Sequence, residues 1–137
     1  MRKTLRAALG TAVIIGASIL GPAGTGASVA SAARLSCNTV FILQDAWVPG
    51  FYPSFDPYNC ELRRGDTGEA VKQLQNTMDI CYREELVTDG QFGPATQAAL
   101  RRVQAKAGTA ADGIYGPNTR RAMLHQNTNG VTCKHVT

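Results

Sequence analysis

Residues on which enzyme chemistry commonly depends are few in this sequence. It has two histidines in 137 residues, and none of its four cysteines lies in a Cys-x-x-Cys pair. It contains no His-Glu-x-x-His, no Gly-x-Ser-x-Gly and no glycine-rich phosphate loop. A zinc site, a redox dithiol and the common nucleophilic or nucleotide-dependent enzymes are therefore not indicated. We expect no catalytic residue, no metal and no cofactor.

The N-terminus holds most of the excess positive charge. Three of the fourteen lysines and arginines lie in the first six residues, ahead of an apolar run from about Ala7 to Leu20 and a small-residue stretch that ends at residues 30–33. This order is typical of a secretory signal peptide. The alternative, a membrane anchor, is disfavoured because the run is shorter than the roughly 18–20 residues of a spanning helix. We expect cleavage after Ala32 or, as the alternative, after Ala33.

The chain that would remain has almost no net charge. It keeps eleven basic and ten acidic residues, which gives a net charge of about +1. Nucleic acid is not an expected partner, because its binding depends on neutralising phosphates with basic side chains. We expect a secreted protein with no membrane contact after cleavage.

Four cysteines in a small secreted domain indicate two disulfides. The cysteines are Cys37, Cys60, Cys81 and Cys133. Three pairings are possible. The pairing Cys37–Cys60 with Cys81–Cys133 is favoured, because each bond would hold a flanking segment in place.

What the sequence does contain is a short internal repeat. Residues 89–96 read Asp-Gly-Gln-Phe-Gly-Pro-Ala-Thr, and residues 112–119 read Asp-Gly-Ile-Tyr-Gly-Pro-Asn-Thr. Asp-Gly indicates a tight turn, and Gly-Pro is a common helix start. We expect the aromatic residue between them to pack inward. Each copy therefore predicts a turn, an aromatic anchor and the beginning of a helix.

Three short helices are predicted around these turns. An apolar stripe predicts the first helix from about Glu69 to Tyr82. The second is predicted from about Pro94 to Ala107, and the third from about Pro117 to His125. Short helices are marginal alone and need mutual packing. The expected fold class is therefore mainly α, a small three-helix bundle with two repeated Asp-Gly turns.

Residues 33–61 have a different composition from the rest. They hold six of the nine aromatic residues, interleaved with three prolines that exclude a regular helix. Thr39–Leu43 is compatible with a short strand, and the remainder is predicted to be an irregular arm held by disulfides. Its aromatic rings either pack against the helical part or stay exposed and stack on sugar rings. Residues 128–137 are predicted to form an irregular tail.

Residues 62–127 resemble the three-helix peptidoglycan-binding domain found on many bacterial cell-wall hydrolases. The resemblance rests on residues 62–68 (Leu-Arg-Arg-Gly-Asp-Thr-Gly), on Leu74-Gln75, on both Asp-Gly turns and on Ala122-Met123. The chain departs from the family pattern at three positions, where the family commonly has Gly, Phe and Trp: Cys81, Val103 and Arg120. The resemblance implies a binding domain at 62–127, which the expected signal peptide at 1–32 and arm at 33–61 precede and the expected tail at 128–137 follows.

The resemblance implies non-catalytic binding of peptidoglycan, with a secreted cell-wall hydrolase as a further partner, and an extracellular or cell-wall-associated location. Such modules mostly accompany a catalytic domain; because this sequence has no room for one, we expect a secreted, stand-alone module. The alternative is a protein-interaction or inhibitor module that acts on a hydrolase or protease. A small wall-cleaving enzyme is a third hypothesis, since Asp89 and Asp112 could be read as a carboxylate pair. Their repetition in identical turns favours a structural role instead. The candidate ligand contacts are Gln91, Tyr115, Asn118, Arg120, Trp47 and Tyr52.

Overall fold

The computed structural model describes residues 34–137; the predicted signal peptide and its cleavage site lie outside the described residues. The described part has three helices and four strands. In chain order they are β1 (Thr39–Leu43), β2 (Ala46–Gly50), α1 (Glu69–Tyr82), α2 (Pro94–Lys106), α3 (Pro117–Ala122), β3 (Leu124–Gln126) and β4 (Cys133–His135). No helix in residues 34–137 has the length and apolar character needed to cross a membrane.

The predicted three-helix bundle is wrong. The first two helices have the predicted bounds within a residue, but α3 has only six residues. The strands form two separate antiparallel pairs, β1–β2 and β3–β4. Helix α1 packs against both pairs as well as against α2. The chain is therefore a mixed α and β fold in which hairpins occupy positions around α1 that a bundle would give to helices.

The arm is not irregular, because its first half forms the hairpin β1–β2. The predicted strand Thr39–Leu43 is confirmed, and it pairs with Ala46–Gly50 in the register Thr39 opposite Gly50. The two linking residues, Gln44 and Asp45, both have positive φ, which matches the twist of a two-residue hairpin turn. Pro49 is tolerated because β2 pairs with another strand along only one edge.

The predicted end of the third helix at His125 is also wrong. The chain becomes extended at Met123, and β3 then pairs with β4 across a turn with Gly130 at φ 78°. The backbone N–H of Leu124 donates to the Tyr82 hydroxyl at 2.7 Å, which fixes β3 against the end of α1. The predicted irregular tail is therefore the second strand of a hairpin.

Both repeated turns are attached to the segment that precedes α1. Leu62 and Tyr115 exchange two backbone hydrogen bonds, of 2.8 and 2.9 Å. The N–H of Phe92 donates to the Asp66 carbonyl at 2.9 Å, and the N–H of Gly65 donates to the Phe92 carbonyl at 3.0 Å. The side chains of Phe92 and Tyr115 are both buried, so the prediction that the two aromatic residues pack inward is confirmed. They join the main core with Leu62, Ala70, Val71, Leu74, Met78, Ala99, Leu100, Val103 and Met123.

Two disulfides hold the flanking segments, and they join the pairs favoured from the sequence. Cys37–Cys60 closes the arm, and Cys81–Cys133 ties β4 to the end of α1.

Removing the second disulfide should destabilise the protein by roughly 2–5 kcal/mol, because the bond restricts a long loop in the unfolded chain. Its cysteines are 52 residues apart, against 23 for the other pair. We expect the double variant Cys81→Ala/Cys133→Ala to show a lower urea midpoint than the parent, and Cys37→Ala/Cys60→Ala to show a smaller loss. Equal midpoints for Cys81→Ala/Cys133→Ala and the parent would contradict this expectation.

Candidate functional site

A buried glutamine organises the first Asp-Gly turn. Gln75 lies on α1 with 1% of its surface exposed, and its Oε1 accepts the N–H of Gly90 at 2.8 Å. Its Nε2 lies 3.0 Å from both Asp89 Oδ1 and the Gln91 carbonyl, and 3.1 Å from Thr96 Oγ1. One side-chain amide therefore connects α1 to the turn and to the first turn of α2.

The second turn repeats this arrangement with a glutamine from α2. Gln104 is fully buried, and its Oε1 accepts the N–H of Gly113 at 2.8 Å. Its Nε2 lies 2.8 Å from Asp112 Oδ1 and 2.9 Å from both the Ile114 carbonyl and Thr119 Oγ1. Gly90 and Gly113 have φ of 74° and 75°, a conformation that glycine adopts without strain. The two turns therefore form the same set of hydrogen bonds, each with its own buried glutamine.

The two aspartates act as acceptors inside their turns. Asp89 Oδ1 also accepts the Gln91 backbone N–H at 2.8 Å, and Asp112 Oδ1 accepts the Ile114 N–H at 2.9 Å. The bond from the Gln91 N–H, followed by the bond from Gln75, lowers the pKa of Asp89 below its usual value. A general acid for glycoside cleavage needs a raised pKa. The geometry therefore favours the structural role for these residues. Among residues 34–137, no three His, Cys, Asp or Glu side chains are grouped so that they could hold a metal ion.

Arg120 is buried, although the sequence placed it among the ligand contacts. Its side chain follows the second turn, 8% of the residue is exposed, and its guanidinium carbon lies 5.3 Å from the centre of the Tyr58 ring. Its Nε and Nη1 are shielded from solvent and have no hydrogen-bond acceptor among the described residues. Arginine is seldom buried without a polar partner. Arg120 is therefore a buried charged residue that has no acceptor for two of its nitrogens among residues 34–137.

His125 lies against the backbone of the same arginine. It is fully buried, and its Nε2 donates to the Arg120 carbonyl at 2.9 Å. The ring packs edge-on against Tyr115, with 6.2 Å between centroids. Burial lowers the pKa of His125 to about 4, and the positive charge of Arg120 acts in the same direction. The ring is therefore neutral at pH 7, and it adds no charge beside Arg120.

A cleft of about 250 Å³ opens at Arg120, between the arm and α3. We call it the arginine cleft, and its lining residues are Asp56, Tyr58, Asn59, Pro117, Arg120 and Arg121. Two arginines face one aspartate there, so the lining carries net positive charge. Sequence reasoning named Arg120 but missed Tyr58 and Asn59, because only the folded arm brings them to α3.

A second depression, the turn groove, lies beside the first Asp-Gly turn and has a volume of about 380 Å³. Its polar side includes Gln91, and its apolar side includes Leu86, Val87 and Pro94. Val87 is 77% exposed, so its side chain adds apolar surface to the groove. The groove therefore offers a mixed surface next to the repeat.

The six predicted contact residues do not form one site. Gln91 lies in the turn groove, Arg120 in the arginine cleft, and Tyr115 in the core. Asn118 is exposed at the start of α3, where its Oδ1 accepts a hydrogen bond from Arg121 at 2.6 Å. Burial of the Tyr115 side chain removes it from direct contact with a large ligand.

The remaining two candidates, Trp47 and Tyr52, belong to the arm. Some aromatic rings of the arm pack inward, and others are exposed. Phe51 packs against the main core, and Tyr58 lies edge-on to Phe41 with 5.9 Å between centroids. Trp47 is half-buried on β2. Tyr52 is 68% exposed, and Phe55 is fully exposed. Inward packing and exposure therefore both occur within the arm.

Comparison with known proteins finds one family model and several relatives that match part of the chain. Residues 67–123 match the family model described as "Putative peptidoglycan binding domain". A zinc D-Ala-D-Ala carboxypeptidase of Streptomyces albus G is 52% identical over 61 residues, which are 42% of this chain and 24% of that protein. An uncharacterized protein in the bpoA1 3' region of Kitasatospora aureofaciens is 38% identical over 85 residues, which are 61% of this chain and 69% of that protein.

Among solved structures, the SleB N-terminal domain is 37% identical, with a TM-score of 0.43 over 45% of this chain and 85% of that chain.

Replacing either buried glutamine with leucine should cost roughly 1–3 kcal/mol, because the turn glycine N–H loses its acceptor while it stays buried. We expect Gln75→Leu and Gln104→Leu to lose stability by similar amounts in urea unfolding followed by circular dichroism. Gln97→Leu, at a half-exposed position of α2, is the control and should change stability by less than about 0.5 kcal/mol. Losses no larger than that of the control would refute the role given to the two amides.

The stability of the protein should fall as the pH is lowered from about 6.5 towards 4. The pKa of His125 is about 4 in the folded chain against an ordinary 6.5, so the unfolded chain binds the proton first. The stabilisation is fully present above pH 6.5, and its loss is on the order of 3 kcal/mol at most. Urea unfolding at pH 7.0, 5.5 and 4.5 measures this dependence. His125→Gln should flatten it, whereas the exposed His135→Gln should keep it; unchanged slopes in both variants would contradict the assignment.

Proposed function

Since the chain belongs to the family of peptidoglycan-binding domains, we propose that it binds bacterial cell-wall peptidoglycan without cleaving it, as a secreted, stand-alone module. The observation that carries this proposal is the use of both repeat aspartates inside their turns. Each carboxylate accepts hydrogen bonds from a buried glutamine and from a backbone N–H. The residues that first suggested wall-cleaving chemistry thus have a structural function.

The ligand surface in this proposal lies outside the scaffold residues. The turn groove and the arginine cleft both border a repeated turn and carry polar side chains. Gln91 and Asn118 are exposed at equivalent turns, and Tyr52 offers an exposed ring in the arm. We propose that these residues, with Arg120, contact the ligand. Trp47 is half-buried, so it contributes through its exposed edge, and Tyr115 supports the site from the core.

Secretion is the second part of the proposal. Two disulfides within about a hundred residues favour an oxidising compartment. The charged and apolar N-terminus, with cleavage after Ala32, supplies the route of export. The mature protein would then act at the wall, where its ligand is found.

One observation favours a second function, an interaction module for a secreted hydrolase or protease. Tyr52 and Phe55 are large exposed side chains on either side of Pro53 and Ser54, and together they line an open depression. Exposed aromatic residues are common at protein interfaces. A stable complex with a co-secreted enzyme, lost in Phe55→Ser, together with no binding to bare wall, would favour this function.

The purified protein should co-sediment with insoluble peptidoglycan and should release no soluble fragments from it. Asp89→Asn keeps an oxygen acceptor at the same position, so it should bind like the parent protein. The measurement is the bound fraction after centrifugation, together with a zymogram. Protein that stays in the supernatant with its disulfides intact would refute binding. Clearing of the wall by the parent but not by Asp89→Asn would refute the non-catalytic assignment.

A further inference from the structure

The arginine cleft is built from two parts of the chain that only the fold brings together. Its α3 side carries Arg120 and Arg121, which directly follow the second repeated turn. Its arm side carries Asp56, Tyr58 and Asn59, which the disulfide Cys37–Cys60 holds in place. Arg120 therefore places a buried charge at the boundary between the two parts.

The guanidinium group of Arg120 has unused hydrogen-bonding capacity. No carboxylate among the described residues pairs with it within 4.0 Å. Its Nε and Nη1 have no acceptor in the described part of the chain, although 92% of the residue is buried. The Tyr58 ring, at 5.3 Å, interacts with the charge through its face but does not accept the N–H groups as a carboxylate would. Burial of an arginine without such a partner is costly.

We propose that the arginine cleft binds a carboxylate of a peptidoglycan stem peptide, with Arg120 as the residue that recognises it. This inference rests on the proposed function and specifies which part of the polymer is bound. A carboxylate matches the guanidinium in charge and planar geometry, and it can pair with the part of the Arg120 side chain that lines the cleft.

The size and the lining of the cleft favour a peptide end over the glycan. Its volume of about 250 Å³ is smaller than the roughly 300–1,000 Å³ of typical small-molecule pockets, so it suits a group the size of one amino-acid residue. Asp56 and Asn59 add oxygen acceptors at the arm side. A peptide carries N–H donors next to its carboxylate and can use these acceptors. A phosphodiester has no such donors beside its charge.

The test is a titration of the ¹⁵N-labelled protein with three probes, followed by NMR. The probes are a stem peptide with free carboxylates, the same peptide with all carboxylates amidated, and inorganic phosphate. We expect the free-carboxylate peptide to shift the amide resonances of Tyr58, Asn59 and Arg121. The amidated peptide should bind about tenfold or more weakly, since it removes a charge-assisted hydrogen bond.

Variants identify the residue responsible. Arg120→Gln should weaken binding of the free-carboxylate peptide about tenfold or more, whereas Arg101→Gln, exposed on α2, should leave it unchanged. Asn59→Ala lies at an exposed position and should weaken binding a few-fold without disturbing the core. If Arg120→Gln fails to fold, the comparison of the two peptides on the parent protein still tests whether the cleft recognises a carboxylate.

Three results would overturn the inference. Equal affinity for the two peptides would exclude carboxylate recognition. Tighter binding of phosphate at the same resonances would assign the cleft to a phosphate-bearing polymer. No shift at these resonances with any probe would mean that the cleft holds only water. If the parent protein still co-sediments with whole peptidoglycan in any of these cases, the proposed function stands and only the inference about the cleft fails. Peptide binding without co-sedimentation would instead support carboxylate recognition and contradict the proposed function.

Discussion

The structure depends on two buried side-chain amides more than on any single apolar contact. A primary amide has an acceptor and two donors, and Gln75 and Gln104 each use both types on one turn. The glycine N–H, the aspartate carboxylate and the threonine hydroxyl of a turn all converge on this group. A buried amide without hydrogen-bond partners would lower the stability of the fold, whereas an amide with all its partners holds the neighbouring groups in fixed positions. This interaction sets where each turn lies and where the helix that follows begins.

Such a scaffold separates the residues that define the repeat from those that can bind a ligand. The Asp, Gly, aromatic and Thr positions of the repeat are occupied by contacts inside the protein. The positions between them, such as Gln91 and Asn118, point outward and differ between the two copies. The arm adds a second source of variation, because it lies against α3 through Tyr58. A binding surface can therefore change without disturbing the turns.

The elements that could be predicted are those governed by local sequence. Helix α1 has a clear apolar stripe, and α2 begins at a proline that suits the first helical position. The end of α3 at Ala122 depends on partners far away in sequence, because Leu124 donates to the hydroxyl of Tyr82. Periodicity does not reveal such a contact. The β3–β4 hairpin did have a local signal, Asn129-Gly130, whereas Gln44-Asp45 is a weak turn signal for β1–β2.

The same distinction applies to the candidate site. Gln75 stands beside an apolar stripe, and a polar residue on a buried face is a signal that it satisfies other polar groups. The exposure of Tyr115 and Arg120 could not be read from their own neighbours in sequence. Tyr115 is covered because its backbone pairs with Leu62, and Arg120 is covered because the arm folds onto α3. The six candidate contacts lie in different places because burial is decided by long-range packing.

Arg120 shows how one buried charge can carry information about function. The arm places the Tyr58 ring beside its guanidinium group, but the ring leaves Nε and Nη1 without an acceptor among the described residues. His125 is neutral and donates to the Arg120 carbonyl, so it fixes the backbone without balancing the charge. Residues 34–137 provide a cleft and positive charge but no acceptor for Nε and Nη1 of Arg120, so a partner from outside this part of the chain would balance its charge.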